Sequence, residues 1–394
     1  MSLRKEKLTF VLKSLNYGGI ERLAFNLLNF IAQRQDLSID LVVGWGKGVY
    51  EQEIPDNVRT IDLKIHLENR IKSYISLTDK LTKYFAAENP NYIFSYLPIA
   101  NICSAIAWSL HHQSSKLILI EQTLLFNDLV KLQGYRHSVK SHLKDNTKNS
   151  LFSITLPLAM KLWYPQVTAV VSDSLGLARG IEKGLNLKPG LIKTIYNPVI
   201  DKKVPIALED SIAHPWLTSP QAPVFISVGR FAPQKDHFTL IQAFFLLRKK
   251  RPAKLIILGD GELRKQIENL VDELNIRSDV DLPGFVKNPY PYLKQANTFV
   301  LSSLWEGLPT VLIEALASGC QVVSTNCQYG PDEILENGKY GWLVPITDTS
   351  ALSKAMEHSL ESPIDRTLLK QRANYFTVKR AANEYLQLVG LSTE

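Results

Sequence analysis

The chain has 394 residues, of which 45% are hydrophobic, and a formal net charge of +7 at pH 7. This composition excludes a disordered protein, and the length predicts two domains of roughly 150–200 residues each. The excess positive charge lies entirely in residues 1–200, which carry 24 Lys and Arg against 16 Asp and Glu. The first half is therefore expected to face an anionic partner.

The cysteines and the N-terminal stretch indicate the compartment. Cys103, Cys320 and Cys327 form an odd set without a C-x-x-C pair, which favours buried thiols in a reducing environment. The basic start has too short an apolar run for a signal peptide, and no segment approaches the roughly 18 apolar residues of a spanning helix. We expect a cytoplasmic protein that is at most peripheral on the inner face of a membrane.

The first half alternates strand and helix patterns. Residues 20–34 carry apolar residues at the spacing of one helix face, and short runs rich in β-branched residues lie around them. The predicted strands are 8–14, 38–44, 92–97, 116–121 and 167–172. Continuously apolar strands between helices indicate a parallel sheet covered on both faces.

A second series of strand patterns follows residues 197–223, whose five prolines and lack of periodicity predict a linker. The predicted strands are 224–229, 254–259, 280–285, 298–303, 320–325 and 341–346. The expected fold is α/β, with doubly wound Rossmann-like domains at 1–200 and 201–377. Ligands of such sheets bind beyond the carboxyl ends of the strands, so the cleft between the domains is the expected site.

The segment SLWEGLPTVLIEALASG, residues 303–319, places two glutamates around a Gly-x-Pro break. A helix is expected with Pro309 in its first turn and a stop at Gly319. Two carboxylates near open amides suit a polyhydroxylated ligand. An ordinary acidic surface helix is the alternative, which the apolar surroundings of Glu314 disfavour. The candidate residues are Glu306, Gly307, Leu308, Pro309, Thr310 and Glu314.

A basic loop follows the first predicted strand of the second domain. It contains Arg230 and Lys235 within SVGRFAPQKDHFTLIQAF. Two cations at the end of a strand can hold a diphosphate leaving group. A solvated basic loop is an equally good account of this motif alone.

Glycine turns follow three other predicted strands. LGDGE (258–262) and LPGFV (282–286) could each admit a flat base against the backbone, or be plain turns. Gly18 and Gly19 in NYGGIER would let the backbone approach a phosphate, although a turn is the simpler interpretation of this pair alone.

Two further patterns are attributed to chance. GWGKG (44–48) lacks the spacing and the hydroxyl residue of a P-loop. DVD (279–281) resembles a metal-binding D-x-D but leads into an apolar strand. The histidines show no zinc-ligand spacing. Neither a metal nor a cofactor is expected.

Six motifs lie in the order and spacing seen in glycosyltransferase family 4, which the chain resembles over nearly its whole length and most strongly in the second domain. Members of this family are retaining, sugar-nucleotide-dependent enzymes of the GT-B fold. The motifs are NYGGIER, IYNPV (195–199), SVGRFAPQKDHFTLIQAF, LGDGE, LPGF and SSLWEGLPTVLIEALASGCQVVSTNCQYGPDEIL (302–335).

The resemblance implies roles for the candidate residues. Glu314 would bind the nucleotide ribose, and Glu306 with the amides after it would face the donor sugar. Arg230 and Lys235 would grip the diphosphate, so that the catalytic set is Arg230, Lys235 and Glu306. The donor-binding set also includes Gly18, Gly19 and Phe285. The C-terminal helix, within 378–394, would return to the first, acceptor-binding domain.

The acceptor side departs from the family. Many relatives have a histidine after the strand KLILIE, whereas this chain has Glu121 and then Gln122, with Gln122 at the histidine position. A glutamine can hydrogen-bond a sugar hydroxyl but cannot act as an acid or base near pH 7. Both residues are expected on the acceptor side.

The expected function is a metal-independent, retaining, hexosyltransferase-type glycosyltransferase that moves a sugar from a nucleotide diphosphate, with UDP as the expected nucleotide. The acceptor would be a hydroxyl in glycan or glycolipid biosynthesis, and no nucleic-acid partner is expected. Two alternatives stay open. One is a sugar-nucleotide epimerase on the same fold, and the other is a non-catalytic nucleotide-sugar-binding partner subunit, which Gln122 motivates.

Residues 129–165 suggest a membrane-facing surface in the first domain. Six Lys and Arg accompany one acid, Asp145, with leucine and aromatic residues interspersed. This composition predicts docking on an anionic membrane, where a lipid-linked acceptor would also be drawn. A solvated basic face beside the acceptor cleft is the alternative.

Overall fold

The computed structural model describes residues 5–16, 18–46, 48–65, 70–111, 114–122 and 150–392. The chain forms two compact units, one from residues 1–198 with 378–394 and the other from residues 199–377. Each unit is built on one parallel sheet with helices between its strands. The predicted α/β class with two doubly wound sheets is therefore confirmed.

The first unit contains a parallel sheet whose described strands number seven. They are β1 (Glu6–Ser14), β2 (Leu37–Trp45), β3 (Val58–Asp62), β4 (Tyr92–Tyr96), β5 (Lys116–Glu121), β6 (Ala169–Ser172) and β7 (Ile192–Thr194). Their order across the sheet is β3-β2-β1-β4-β5-β6-β7. The helices between them are α1 (Gly19–Ile31), α2 (Arg70–Glu88), α3 (Pro98–Ser109), α4 (Ser150–Trp163) and α5 (Leu175–Leu185).

The burial of each strand explains which strands of this sheet the sequence predicted. All five residues of β4 are buried, and so are the last five of β5, as expected for central parallel strands. The sequence did not predict β3 and β7, which lie at the two edges of the sheet. In β3 only Val58 is fully buried. A half-exposed edge strand lacks the continuous apolar run on which the prediction rests.

The C-terminal helix (Val378–Leu388) packs in the core of the first unit. The ring of Tyr385 lies 5.6 Å from that of Phe94 on β4. Lys116 at the start of β5 donates from Nζ to the carbonyl oxygen of Val389 at 2.6 Å. These contacts hold the end of the chain in the unit that contains its beginning.

The second unit contains a six-stranded parallel sheet. Its strands are β8 (Val224–Val228), β9 (Lys254–Leu258), β10 (Val280–Gly284), β11 (Thr298–Leu301), β12 (Gln321–Thr325) and β13 (Trp342–Val344). Their order is β10-β9-β8-β11-β12-β13. The helices are α6 (Val204–Ala207), α7 (Pro215–Thr218), α8 (His237–Arg248), α9 (Arg264–Glu273), α10 (Tyr290–Gln295), α11 (Thr310–Ala317), α12 (Pro331–Ile334), α13 (Thr349–Glu361) and α14 (Arg366–Ala373).

The predicted linker is not an extended connection. From residue 199 onward it belongs to the second unit and contains the four-residue helices α6 and α7. Asn288 donates from Nδ2 to the carbonyl oxygen of Ala207 at 2.9 Å, which fixes α6 to the unit. Helices of four residues are too short to show a periodic pattern, so the prolines dominated the prediction.

In each sheet the strand order reverses once, between β1 and β4 in the first and between β8 and β11 in the second. A crevice at the carboxyl ends of the strands forms at such a reversal and is the usual ligand site of doubly wound sheets. Within the described residues, no helix is long and apolar enough to cross a membrane.

Candidate functional site

At the reversal point of the second sheet, the loop after β8 is ion-paired with the loop after β11. Lys235, at the end of the 3₁₀ turn Pro233–Lys235, has its Nζ 2.6 Å from Glu306 Oε1. Glu306 also accepts a hydrogen bond from Ser303 Oγ at 2.6 Å. The Glu306 side chain is only 8% exposed, so the lysine and the hydroxyl compensate the burial of its charge.

Backbone bonds fix the position of Glu306. The amide of Leu304 donates to the carbonyl oxygen of Gln234 at 2.8 Å. The amide of Glu306 donates to the carbonyl oxygen of Gln328 at 2.6 Å. Gln234 also donates from Nε2 to the carbonyl oxygen of Trp305 at 2.8 Å. The loop is therefore held by the segments that follow β8 and β12, the two strands on either side of β11. This is the preorganisation that a binding site needs.

The helix predicted in the segment 303–319 is α11, with Pro309 at its N-cap, one residue before the predicted first turn. Gly319 follows the helix with φ +72°, and its amide donates to the carbonyl oxygen of Leu316 at 2.9 Å, as predicted for the helix stop. Glu314 lies on the fifth residue of α11 and is 4% exposed. Its chain neighbours Ile313 and Ala315 are buried with it.

The amides between Glu306 and α11 are available to a ligand. Among the described residues, no hydrogen-bond acceptor is bound to the N–H of Gly307 or of Leu308. Gly330, with φ +98°, packs against this turn, and a Cβ atom there would lie 2.8 Å from the carbonyl oxygen of Gly307. The close approach keeps the turn in place while its N–H groups stay unused.

Arg230 provides a positive charge at the same reversal point. It follows β8 and is exposed, and in the part of the chain that the structure describes no carboxylate lies within ion-pair distance of its guanidinium. Nearby, burial lowers the pKa of His237 to about 3, helped by the charge of Lys235. His237 is therefore neutral at pH 7. Arg230 carries the exposed charge on this loop, and Lys235 is half-buried beside Glu306.

Of the two glycine turns of the second unit, LGDGE lies next to this loop, and LPGFV is bonded to LGDGE through the Gly259 amide and the Gly284 carbonyl oxygen at 2.8 Å. Gly259, with φ +148°, packs so closely on the loop after β8 that a Cβ atom would lie 2.0 Å from the carbonyl oxygen of Gly229. This close packing alone explains why the residue is glycine, and no ligand is needed to account for it. Phe285 follows Gly284 at the end of β10 and is 64% exposed, so its ring can still receive a flat base.

In the first unit, Gly18 and Gly19 form the start of α1. Gly18 is the N-cap, and a Cβ atom on it would lie 2.0 Å from Glu21 Oε2. A Cβ atom on Gly19 would meet nothing within 4 Å. Burial raises the pKa of Glu21. The carboxyl of Glu21 therefore lies over Gly18, and Gly19 is the more open of the two predicted phosphate contacts.

Glu121, at the end of β5, is fully buried among polar side chains. Its Oε1 accepts from Asn101 Nδ2 at 2.7 Å and from the hydroxyl of Tyr164. Among the described residues, Oε2 has no hydrogen-bond partner. Burial raises the pKa of Glu121 to about 7, against the opposing effect of the bonds from Tyr164 and Asn101.

Gln122 begins a second chain of buried hydrogen bonds. Its Nε2 donates to Asn197 Oδ1 at 2.7 Å, and Asn197 Nδ2 donates to Asp173 Oδ2 at 3.1 Å. Among the described residues, nothing bonds to Gln122 Oε1. The sequence prediction missed Asn197 and Asp173, although Asn197 lies in the motif IYNPV and Asp173 directly follows β6.

Most of the basic segment 129–165 lies outside the described residues, because the description stops at Gln122 and resumes at residue 150. Its described part includes α4, on which Leu158 is 61% and Leu162 is 59% exposed. The predicted membrane contact of the lysines stays a prediction.

Comparisons with known proteins show which family and which solved structures this chain resembles. Residues 210–375 match the family model "Glycosyl transferases group 1". The structure resembles that of Anabaena Alr3699/HepE in complex with UDP-glucose, with a TM-score of 0.73 and 16% identity over 97% of this chain and 98% of that one. The chain has the GT-B fold, so the predicted fold is confirmed. The family match, which covers less than half of the chain, supports the glycosyltransferase superfamily.

Two curated relatives of this GT-B chain are named glycosyltransferases. An uncharacterized glycosyltransferase of Methanocaldococcus jannaschii is 35% identical over 57% of this chain and 56% of its own length. The N-acetylgalactosamine-N,N'-diacetylbacillosaminyl-diphospho-undecaprenol 4-alpha-N-acetylgalactosaminyltransferase of Campylobacter jejuni is 26% identical over 93% of this chain and 94% of its own length. This chain thus spans about half of the first relative and nearly all of the second. Both support a glycosyltransferase role.

Proposed function

We propose that this protein is a retaining glycosyltransferase of family 4 that transfers a hexosyl-type sugar from a UDP-sugar to a hydroxyl of a lipid-linked glycan. The donor would bind at the reversal point of the second sheet, in the segment that matches the family model. The buried polar side chains at the end of the first sheet would face the acceptor.

One observation carries this proposal. An exposed arginine, a lysine–glutamate pair and two unused backbone N–H groups occur together at the carboxyl ends of β8 and β11. Positive charge and N–H groups suit a diphosphate, and a fixed carboxylate suits the hydroxyls of a sugar. Neither a plain turn nor a solvated basic loop explains why all three are found at one reversal point.

Each residue then has a proposed role. Arg230 and Lys235 stabilise the negative charge that develops on the diphosphate as the bond between sugar C1 and the phosphate oxygen breaks. Lys235 would leave Glu306 for the phosphate, which frees Glu306 to accept hydrogen bonds from the sugar. Glu314 accepts hydrogen bonds from the ribose hydroxyls.

The acceptor oxygen forms the new bond to C1 on the face that the diphosphate leaves. The acceptor proton passes to the departing phosphate oxygen, so no protein base is required. The positive charges of the protein replace a divalent metal in this scheme.

The donor and acceptor classes rest on relatives. The similar Anabaena structure contains UDP-glucose, and the similar Campylobacter enzyme is named for a diphospho-undecaprenol acceptor. Both features come to this chain as parts of the proposal. A surface near residues 129–165 that binds an anionic membrane would bring the protein to such an acceptor.

The experiment that tests the function is an incubation of the full chain with single UDP-sugars, with and without a polyprenyl-diphosphate-linked saccharide. A product lengthened by one sugar, with the anomeric configuration of the donor, supports the proposal. An epimer of the donor formed without acceptor would identify an epimerase instead. Donor binding without turnover on any acceptor would favour the non-catalytic subunit that Gln122 suggests.

A further inference from the structure

A pocket of about 410 Å³ opens in the second unit, apart from the candidate donor site. Its walls include His214, Trp216, Asp281 and Tyr292. Asp281 is the second residue of β10, and Lys254, whose Nζ lies 4.9 Å from the Trp216 ring centroid, is the first residue of β9. The pocket therefore lies at the amino ends of the strands, roughly 15 Å along the sheet from their carboxyl ends.

His214 holds the walls of this pocket in place. Its Nε2 lies 2.9 Å from Asp281 Oδ2, and its Nδ1 accepts from the backbone N–H of Trp216 at 3.3 Å. Because Nδ1 is the acceptor, Nε2 carries the proton and donates to the carboxylate. The imidazole also contacts the rings of Trp216 and Tyr292, at centroid distances of 5.3 and 6.4 Å.

Three polar side-chain groups of the walls are unused. Asp281 Oδ1, the indole N–H of Trp216 and the hydroxyl of Tyr292 have no hydrogen-bond partner among the described residues. The Asp281 side chain is 45% exposed. The pocket thus offers one charged acceptor and two donors beside two aromatic rings.

These features fit a sugar ring. The apolar face of a pyranose packs on aromatic rings, and its hydroxyls pair with a carboxylate and with ring N–H and O–H groups. An anionic ligand is disfavoured by Asp281, because Lys254, the cation over the Trp216 ring, is already paired with Asp279 at 2.8 Å. The motif DVD is thereby explained without a metal, since Asp279 pairs with lysine and Asp281 fixes His214.

We propose that this pocket is a second, non-catalytic site that binds one or two neutral sugar units. Its use in retaining the glycan between transfers rests on the proposed function, whereas the binding itself does not. Such a site would raise the local concentration of an acceptor that is bound at one end only.

The test is a titration of the full chain with maltotriose and with N,N′,N″-triacetylchitotriose, followed by saturation-transfer NMR. A ligand that buries one or two sugar rings is expected to bind with a dissociation constant on the order of 1 mM. Trp216→Ala and Asp281→Asn should each raise this constant about tenfold or more. The control Tyr375→Ala changes an exposed aromatic residue of the same unit outside this pocket and should leave it unchanged.

Two results would overturn the inference. One is the absence of saturable binding to the wild-type chain with either trisaccharide. The other is wild-type affinity in folded Trp216→Ala and Asp281→Asn variants, with folding checked by thermal melting. Saturating UDP and the variant Arg230→Ala should not alter the binding. A chain that binds the trisaccharide but transfers no sugar would therefore contradict only the proposed function.

Discussion

The second sheet ends, at its reversal point, in charges that reach solvent, whereas the first sheet ends in polar side chains that are almost fully buried. Arg230 is exposed and the Lys235–Glu306 pair is partly so. Glu121 and Gln122 are 0% and 8% exposed and bond only to neutral groups among the described residues. Two sheets of one architecture thus carry different chemistry at the carboxyl ends of their strands.

The difference teaches that the fold alone does not assign the ligands. Exposed positive charge with unused N–H groups suits a diphosphate, which is negatively charged at pH 7. Buried amides and a carboxyl with a raised pKa suit uncharged hydroxyls.

The largest effect is expected from Arg230→Ala. The loss of one charge contact with the transition state should lower turnover about 10²–10³-fold, while melting should not change because the side chain is exposed. Lys265→Ala removes an equally exposed cation of α9 and should retain wild-type turnover. EDTA should not change the rate. An absolute requirement for Mn²⁺, or turnover within threefold of wild type in the Arg230 variant, would contradict the assignment.

Glu121 should make the stability of the first unit depend on pH. Its pKa is about 7 in the folded protein against a usual value of 4.5, so between these values the folded protein keeps a proton that the unfolded chain has lost. Its contribution to the free energy of unfolding should therefore fall by roughly 3 kcal/mol as pH rises from 4.5 to 7.

Chemical denaturation at several pH values checks this prediction by comparing wild type with Glu121→Gln, which should lack this fall. Glu262→Gln, at an exposed position of the second unit, should keep the wild-type profile. Parallel profiles for wild type and Glu121→Gln would mean that Glu121 does not hold its proton in the folded state.

Glu314→Gln should weaken donor binding by about 1.5–3 kcal/mol, because a charge-assisted hydrogen bond to the ribose becomes a neutral one. The measurement is the affinity of the variant for a UDP-sugar. Its affinity for the nucleotide-free trisaccharides named above should not change. Wild-type donor affinity in the folded variant would refute the ribose role.

The parts that the sequence predicted correctly share one cause. Buried central strands such as β5 and β8 have continuous apolar runs, and the segment 303–319 carries its own helix signals in Pro309 and Gly319. The Lys235–Glu306 contact could be expected only from the family resemblance, since it depends on β8 and β11 being neighbours. No local pattern announces such a pairing.

The sequence could not reveal contacts between side chains that lie far apart along the chain. Asn101 and Tyr164 come from separate elements and meet only at Glu121. A polar residue beside a strand end gives no sign of which distant side chain will cover it. Similarly, Asp281 looked like half of a chance motif until the fold placed His214 against it.

The smallest effect per residue is expected on membrane binding by the basic segment 129–165 of the first unit. Each lysine near an anionic leaflet contributes about 1 kcal/mol, so Lys140, Lys144 and Lys148 changed together to Glu should release the chain from anionic liposomes in co-sedimentation. Binding should also fall as salt is raised. The matched control changes Lys249, Lys265 and Lys287 of the second unit to Glu. Equal binding to neutral and anionic vesicles would contradict membrane docking by charge.

The central claim is that the diphosphate of the donor binds at the end of the second sheet and not at the buried amides that follow β5. Calorimetric titration with UDP alone tests it most directly, because no acceptor or sugar is needed. The account predicts that Arg230→Ala weakens UDP binding at least about tenfold, the effect of one charge-assisted contact, and that Gln122→Ala leaves it unchanged. Full UDP affinity in Arg230→Ala together with a loss in Gln122→Ala would contradict the account.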